Sequence, residues 1–360
     1  MDVGSHQSTI NNNKSSIIRV LIVDDSPVVS QMLSYIISSD PAINVIGVAS
    51  NGKEAITMTA RLKPDVLTMD VNMPEMDGFE ATRRIMESTP VPIIIVSSSY
   101  NPSETAKAFR AIEAGALSIL AKPVGIGHPL HEKQSRELIN TIKALSGVKV
   151  ITRKRMIVPA GEVIAKAEKE IARQEIRMIA IGASTGGPPV IQTILKGLPK
   201  DFPVPITIVQ HITQGFTTGF ASWLGDTTGF IVRVPENGEK CLPGTVYVAP
   251  DNAHMVVDNG GRILLNNDPP DNLLKPSVAH LFISVANVFR EKAVGVLLTG
   301  MGKDGVDGLK MMRDMGAVTI AQNKESSVVF GMNGEAVRLG AARYVLSPEA
   351  ISGSLVQLLK

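Results

Sequence analysis

Short apolar runs alternate with amphipathic helical segments along most of the chain, and no other feature restricts the fold as strongly. The first block opens with "IIRVLIVDD", an apolar run ending in two aspartates. "SPVVSQMLSYIISS" follows, with Val28, Met32, Leu33, Ile36 and Ile37 at helical spacing. "INVIGVAS", "PDVLTMD", "PVPIIIVSSS" and "ALSILAKP" read as further strands. "GKEAITMTARLK", "GFEATRRIMES" and "NPSETAKAFRAIEAG" read as the helices between them. Continuous apolar strands separated by helices pack as a parallel sheet covered on both faces. The block is therefore expected to be a doubly wound α/β sheet, with its site beyond the carboxyl ends of the strands.

The same alternation resumes later, with strands "RMIAIGAS", "VPITIVQH", "AVGVLLTG", "GAVTIAQN" and "ARYVLSP". "PPVIQTILKGL", "TGFASWLGD" and "PSVAHLFISVANVF" read as helices. Within this block, "FIVRVPENGEKCLPGTVYVAPDNAHMVVDNGGRILLNN" carries the turns "ENG", "LPG" and "NGG", which predict inserted antiparallel hairpins. A chain of 360 residues has room for two domains. The expected division is a polar disordered leader (1–16), a first domain (17–124), a linker (125–176) and a second domain (177–358). The linker segment holds ten Lys and Arg against six Asp and Glu; its middle, "VKVITRKRMIVPAGEV", has no regular period, and its flanks, "SRELINTIKALSG" and "AKAEKEIARQE", read as weakly apolar helices. Its basic run reads as a solvated charge cluster.

Composition excludes several classes. No apolar run is long enough to span a bilayer, and the leader lacks the apolar core of a signal peptide. The single cysteine, Cys241, excludes an internal disulfide and suits a reducing cytoplasm. A net charge of +2 and an aromatic content of 4% argue against a nucleic-acid surface.

Asp24 and Asp25 end the first strand and Asp70 the third, so parallel topology brings three carboxylates to one sheet edge. They repel one another unless a cation screens them, and a hard cation such as Mg²⁺ suits oxygen ligands. One carboxylate can then attack a phosphoryl donor. Lys122 can reach the same edge, and Ser97 can supply a hydroxyl. The set "DDS", "MDVNMPEMDG", "VSS" and "AKP" resembles the flavodoxin-like receiver domain of two-component response regulators over residues 17–124. The resemblance implies that Asp70 is the phosphoacceptor. It also implies that Mg²⁺ is bound by Asp24, Asp25, Asp70 and the Asn72 carbonyl, and that Ser97 and Lys122 sense the phosphoryl group. Ile119 stands three residues before the lysine, where receivers often carry an aromatic, so an aromatic rotamer switch there is unavailable.

"MIAIGASTGGP" (178–188) raises a second chemistry. "GASTG" has the G-x-S-x-G spacing of a nucleophile elbow, whereas a dinucleotide loop would need glycine at 184. A serine nucleophile needs a base, an orienting acid and oxyanion donors. His211 ends the strand "PITIVQ" on the same sheet edge, and topology favours it over His254 without excluding the latter. Asp304, in the loop after "VLLTG", is the acid expected, and Asp307 reads as a helix-capping alternative. "IGASTGGP", "VQH", "LTGMGKDG" and "AQNKESSVVFGM" together resemble the chemotaxis protein-glutamate methylesterase/glutamine deamidase (CheB) family over residues 176–358.

That resemblance implies Ser184 as nucleophile, His211 as base and Asp304 as acid, in a doubly wound parallel-sheet methylesterase domain with an inserted β-hairpin region. It implies hydrolysis of glutamyl methyl esters, with methanol released, and deamidation of glutamines on methyl-accepting chemotaxis receptors. It also implies phosphorylation by the chemotaxis histidine kinase, a cytoplasmic location, and membrane proximity only through the receptors. The hydrolase site is expected to need no cofactor. The backbone N–H groups of Thr185 and Met301 are the oxyanion donors expected from turn geometry. Lys275 and Ala279 depart from the family pattern around "PSV", which bears on substrate contacts there.

Overall fold

The structure, a computed structural model, describes residues 17–98, 102–148, 150, 175–269 and 274–358. The expected leader and residues 151–174 of the expected linker lie outside the described residues.

The first sheet holds β1 (Ile18–Val23), β2 (Ile43–Ala49), β3 (Val66–Met69), β4 (Ile93–Ser97) and β5 (Ser118–Ala121). Their order is β2-β1-β3-β4-β5 and every pair is parallel. The helices between them are α1 (Pro27–Ser38), α2 (Gly52–Leu62), α3 (Gly78–Ser88) and α4 (Pro102–Glu113). Ser26, Asn51 and Asp77 each accept from a backbone N–H three residues on, which fixes where α1, α2 and α3 begin. The last helix, α5 (His131–Leu145), corrects the sequence reading. It falls in the segment expected as linker, yet Leu138, Ile142 and Leu145 are buried in the same core as Val20, Ile22 and Leu33. These three residues sit at i, i+4 and i+7, one face of a helix, so α5 is a layer of the first unit rather than a tether.

The second sheet, also parallel throughout, has the order β14-β13-β12-β6-β7-β9-β8. Its centre is β6 (Met178–Ala183), flanked by β7 (Ile206–Gln210) and β12 (Ala293–Leu297). β8 (Ile231–Arg233) and β9 (Thr245–Val248) form one edge, and β13 (Val318–Gln322) and β14 (Tyr344–Leu346) the other. Helices α6 (Gly187–Lys196), α7 (Thr217–Thr228), α8 (Val278–Phe289), α9 (Val306–Asp314), α10 (Met332–Arg338) and α11 (Pro348–Gln357) cover its faces. Of the three turns expected to make hairpins, only "NGG" does so, joining antiparallel β10 (His254–Val257) to β11 (Ile263–Asn266). The segments around "ENG" and "LPG" instead lead from β8 to β9, which run parallel at the sheet edge. All four residues of β9 are buried, which suits a parallel strand rather than a half-exposed hairpin arm.

The two units meet where α4 packs on α6 and α7. Phe109 of α4 stacks on Trp223 of α7 at a centroid distance of 5.4 Å and meets Phe220 of α7 at a tilt, 5.7 Å away. Gly219 lets the helices close: a Cβ there would lie 2.1 Å from Thr105 Cγ2. Trp223 Nε1 and Gln192 Nε2 both donate to Glu113 Oε1, at 3.1 and 3.2 Å.

Candidate active site

β1 lies between β2 and β3, so the crossovers leave it in opposite directions and open a crevice at the strand ends. Asp24 and Asp25 follow β1 and Asp70 follows β3, each bringing an oxygen within 4.8 Å of the others. Asp24 and Asp70 are buried and Asp25 is exposed. Lys122, just past β5, holds its ammonium 2.9 Å from Asp24 Oδ2 and 3.1 Å from Asp70 Oδ2. Burial pushes the Asp70 carboxyl up; Lys122 opposes this, Asp24 adds to it, and the result is about 6. The lysine thus leaves the crowding of carboxylates only partly relieved. Such an all-oxygen donor set with residual negative charge fits a hard divalent cation. Ser97 Oγ, fully buried, makes no hydrogen bond among the described residues. The Asn72 side chain turns to α4, where its Oδ1 accepts from Lys107 Nζ at 2.6 Å.

The second crevice opens where β6 lies between β7 and β12. Ser184 comes directly after β6, and His211 directly after β7. His211 N donates to Ala183 O at 2.9 Å, which continues the β6–β7 ladder and sets the two residues at adjoining strand ends. Gly182 is needed for packing, since a Cβ there would meet Val278 Cγ1 at 2.2 Å. Gly186 takes φ 77°, the left-handed turn that launches α6.

Asp304 lies in the loop between β12 and α9. Its Oδ2 is 2.8 Å from His211 Nε2 and accepts from Val278 N at 2.7 Å. Its Oδ1 accepts from Ser277 Oγ at 2.8 Å and from Ala279 N at 3.1 Å. The start of α8 is thus aimed at the carboxylate, where a helix N-terminus favours negative charge. Burial works to raise the Asp304 carboxyl, but the His211 bond and charge, with the Val278 N–H and Ser277 hydroxyl, bring it down to about 2. With Nε2 turned to Asp304, Nδ1 is the ring nitrogen left for Ser184. No Ser184–His211 hydrogen bond is formed among the described residues; such contacts often tighten only with substrate bound. Thr185 and Met301, the expected oxyanion donors, are both part-exposed; Thr185 follows Ser184 in the chain, and Met301 follows Gly300, which packs against Ser184.

Residues 179–355 match the model of the CheB methylesterase family, and residues 20–132 match the response regulator receiver domain. A protein-glutamate methylesterase/protein-glutamine glutaminase 1 of Syntrophus aciditrophicus is 53% identical over 346 residues, 95% of this chain and 98% of that protein. The chain belongs to the CheB family. A second relative, the protein-glutamate methylesterase/protein-glutamine glutaminase of Nitrosospira multiformis, is 49% identical over 95% of this chain and 97% of its own length.

Within this CheB-family chain, three contributors to the site were not foreseen from sequence. Ser277 caps α8 and binds Asp304; "PSV" before an apolar run is a capping signal that could have flagged it. Gln210 Nε2 donates to both Ser184 O and His211 O at 2.8 Å, and no sequence pattern announces that. Lys107 reaches the acidic site from α4. The rival base, His254, is fully buried, accepts from Ser277 N through Nδ1 at 3.1 Å and stacks on His280 at 3.8 Å. It therefore backs the residue that holds Asp304. Asp307 is an exposed first-turn residue of α9, whose cap is Gly305.

Proposed function

We propose that the chain is a phosphorylation-activated serine hydrolase that removes methyl esters from glutamates of methyl-accepting chemotaxis receptors and deamidates receptor glutamines. The observation that carries the reading is the 2.8 Å His211–Asp304 pair at the strand end beside Ser184. Ser184 Oγ attacks the side-chain carbonyl while His211 Nδ1 takes its proton, and Asp304 stabilises the resulting imidazolium. The N–H groups of Thr185 and Met301 stabilise the oxyanion. The C–O bond to methoxide breaks as His211 returns the proton, and methanol leaves. Water then adds to the acyl-enzyme by the same proton route and restores Ser184. Glutamine follows the same path with ammonia as leaving group.

In the receiver, an Asp70 oxygen attacks the phosphorus carried on a histidine of the chemotaxis histidine kinase; the P–O bond forms as the P–N bond breaks and the imidazole leaves. A magnesium ion held by Asp24, Asp25, Asp70 and the Asn72 carbonyl would screen the charge that gathers there. Lys122 pairs with the phosphoryl oxygens, and the Ser97 hydroxyl donates to them. Phosphorylation shifts the equilibrium between packed and released receiver, which frees the hydrolase for sensory adaptation. The enzyme works in the cytoplasm and meets the membrane only through the receptors.

The test is methanol release from methylated receptor membranes. Ser184→Ala should lower it by at least about a thousandfold. Release that persists in Ser184→Ala would refute the serine mechanism.

A further inference from the structure

A groove of about 580 Å³ opens beside the catalytic loop, lined by Gly302, Lys303, Phe330, Gly331, Gly334, Glu335 and Arg338. It adjoins the hydrolase loops through two close backbone approaches. A Cβ on Gly331 would lie 2.4 Å from Gly300 O, and a Cβ on Gly300 would lie 2.6 Å from Ser184 Cβ. Lys303 is also the residue just before Asp304. A protein side chain presented to Ser184 therefore brings its own flanking surface over this groove.

The chemistry of the lining says what that surface carries. Phe330 is 37% exposed, and its ring lies against Gly334, where a side chain would cover it: a Cβ there would fall 2.8 Å from Phe330 Cδ1. Around this apolar floor stand two exposed cations, Lys303 and Arg338. One anion, Glu335, offsets Arg338 through Nη2–Oε1 at 2.6 Å, and Lys303 also lowers its carboxyl. The groove therefore keeps a net positive rim, with Lys303 in no ion pair among the described residues.

We propose that this groove docks the substrate protein next to the target side chain, with an apolar residue on Phe330 and an acidic one between Lys303 and Arg338. This rests on the methylesterase reading, which supplies a protein substrate whose processed positions are themselves glutamates. Rim charges act mainly on encounter and register, and a buried aromatic supplies the anchor.

The experiment compares wild type, Lys303→Glu, Arg338→Ala and Phe330→Ala on methylated receptor membranes and on a small soluble carboxylic ester. A parallel arm measures membrane binding of each change in a Ser184→Ala background. The expected result is an at least fivefold fall in the ratio of receptor to small-ester turnover, carried by KM, with an equal loss of binding. The Lys303→Glu deficit should be sensitive to salt. An equal fall on both substrates, or unchanged receptor binding in Lys303→Glu, would overturn the docking role. Lys303→Glu guards against misfolding, because its side chain is exposed. Absence of methanol release by wild type would instead refute the methylesterase reading, while the binding arm would still decide the groove.

Discussion

The indole N–H of Trp223 donates to Glu113 Oε1 at 3.1 Å, tying α7 of the hydrolase unit to α4 of the receiver. Trp223 is the only tryptophan of the chain, so its emission reports on the surroundings of this one ring, where Phe109 of α4 also packs. Glu113 is exposed, so its bonds from Trp223 and Gln192 together contribute only about 1 kcal/mol, and losing both shifts a two-state packing equilibrium about fivefold. Glu113→Ala should raise the activity of the unphosphorylated enzyme by about that factor. Acetyl phosphate with Mg²⁺ should move wild-type emission to the red. Unaltered basal turnover in Glu113→Ala together with unaltered emission would show that this interface does not gate the enzyme.

Asp304 is the most strongly held carboxylate of the hydrolase site. Its pKa of about 2 lies below the unfolded value of 3.8, so its contribution is present above pH about 4 and is lost as pH falls through about 2. The shift corresponds to about 2 kcal/mol of stability. Asp304→Asn should lower the stability measured by urea titration at pH 7 by that order. It should lower kcat by about a thousandfold or more, since His211 then loses its orienting anion. Any fall of wild-type activity between pH about 5 and 7 must come from another group. A wild-type pH–rate profile superimposable on that of Asp304→Asn, with equal kcat, would remove Asp304 from the mechanism.

Strand ends were legible in the sequence because parallel topology fixes which end of each apolar run faces the site. Asp24, Asp70, Ser184 and His211 all follow such runs directly, and all four lie where the alternation put them. What was illegible depends on packing between distant segments. Lys107 reaches Asn72 across 35 residues, and Gln210 ties two loops through backbone atoms that carry no sequence signal. The core face of α5 was masked by its charged positions. The β8–β9 edge was misread because turn residues mark where a chain bends, not which strand it joins next.

The acidic crevice sets a sign for metal dependence. Asp70 rises to about 6 from 3.8, so the folded state favours its protonated form. Its stabilising contribution is present below pH about 4 and is lost as pH rises through about 6, up to about 3 kcal/mol. Mg²⁺ should therefore raise the Tm clearly at pH 7.5 and little at pH 4.5. Asp70→Asn should raise the metal-free Tm at pH 7.5 and shrink the Mg²⁺ increment. Calorimetry with and without a chelator measures both; an Mg²⁺ increment independent of pH would contradict the crowded-carboxylate account.

Gln210 gives the sharpest test of how the two loops are held. Buried at the end of β7, it bonds the carbonyls of Ser184 and His211 with one amide nitrogen. Its Oε1 lies over Gly187, where a Cβ would come within 2.2 Å, and the next two residues of α6 are prolines without N–H groups. The amide therefore acts through its donors. Gln210→Met keeps the length and apolar stem but leaves the His211 carbonyl without a donor and the Ser184 carbonyl with only the Gly187 N–H, a cost of about 1–3 kcal/mol. Ser184 and His211 make no hydrogen bond at rest, so their approach depends on where these loops are pinned. Misplacement by about an ångström costs on the order of a hundredfold in rate, so kcat should fall by about ten- to a hundredfold with KM little changed. Gln210→Glu loses the same donors and adds a buried charge, so it should not rescue kcat. A Gln210→Met enzyme that loses stability yet keeps full kcat would make Gln210 a structural residue only.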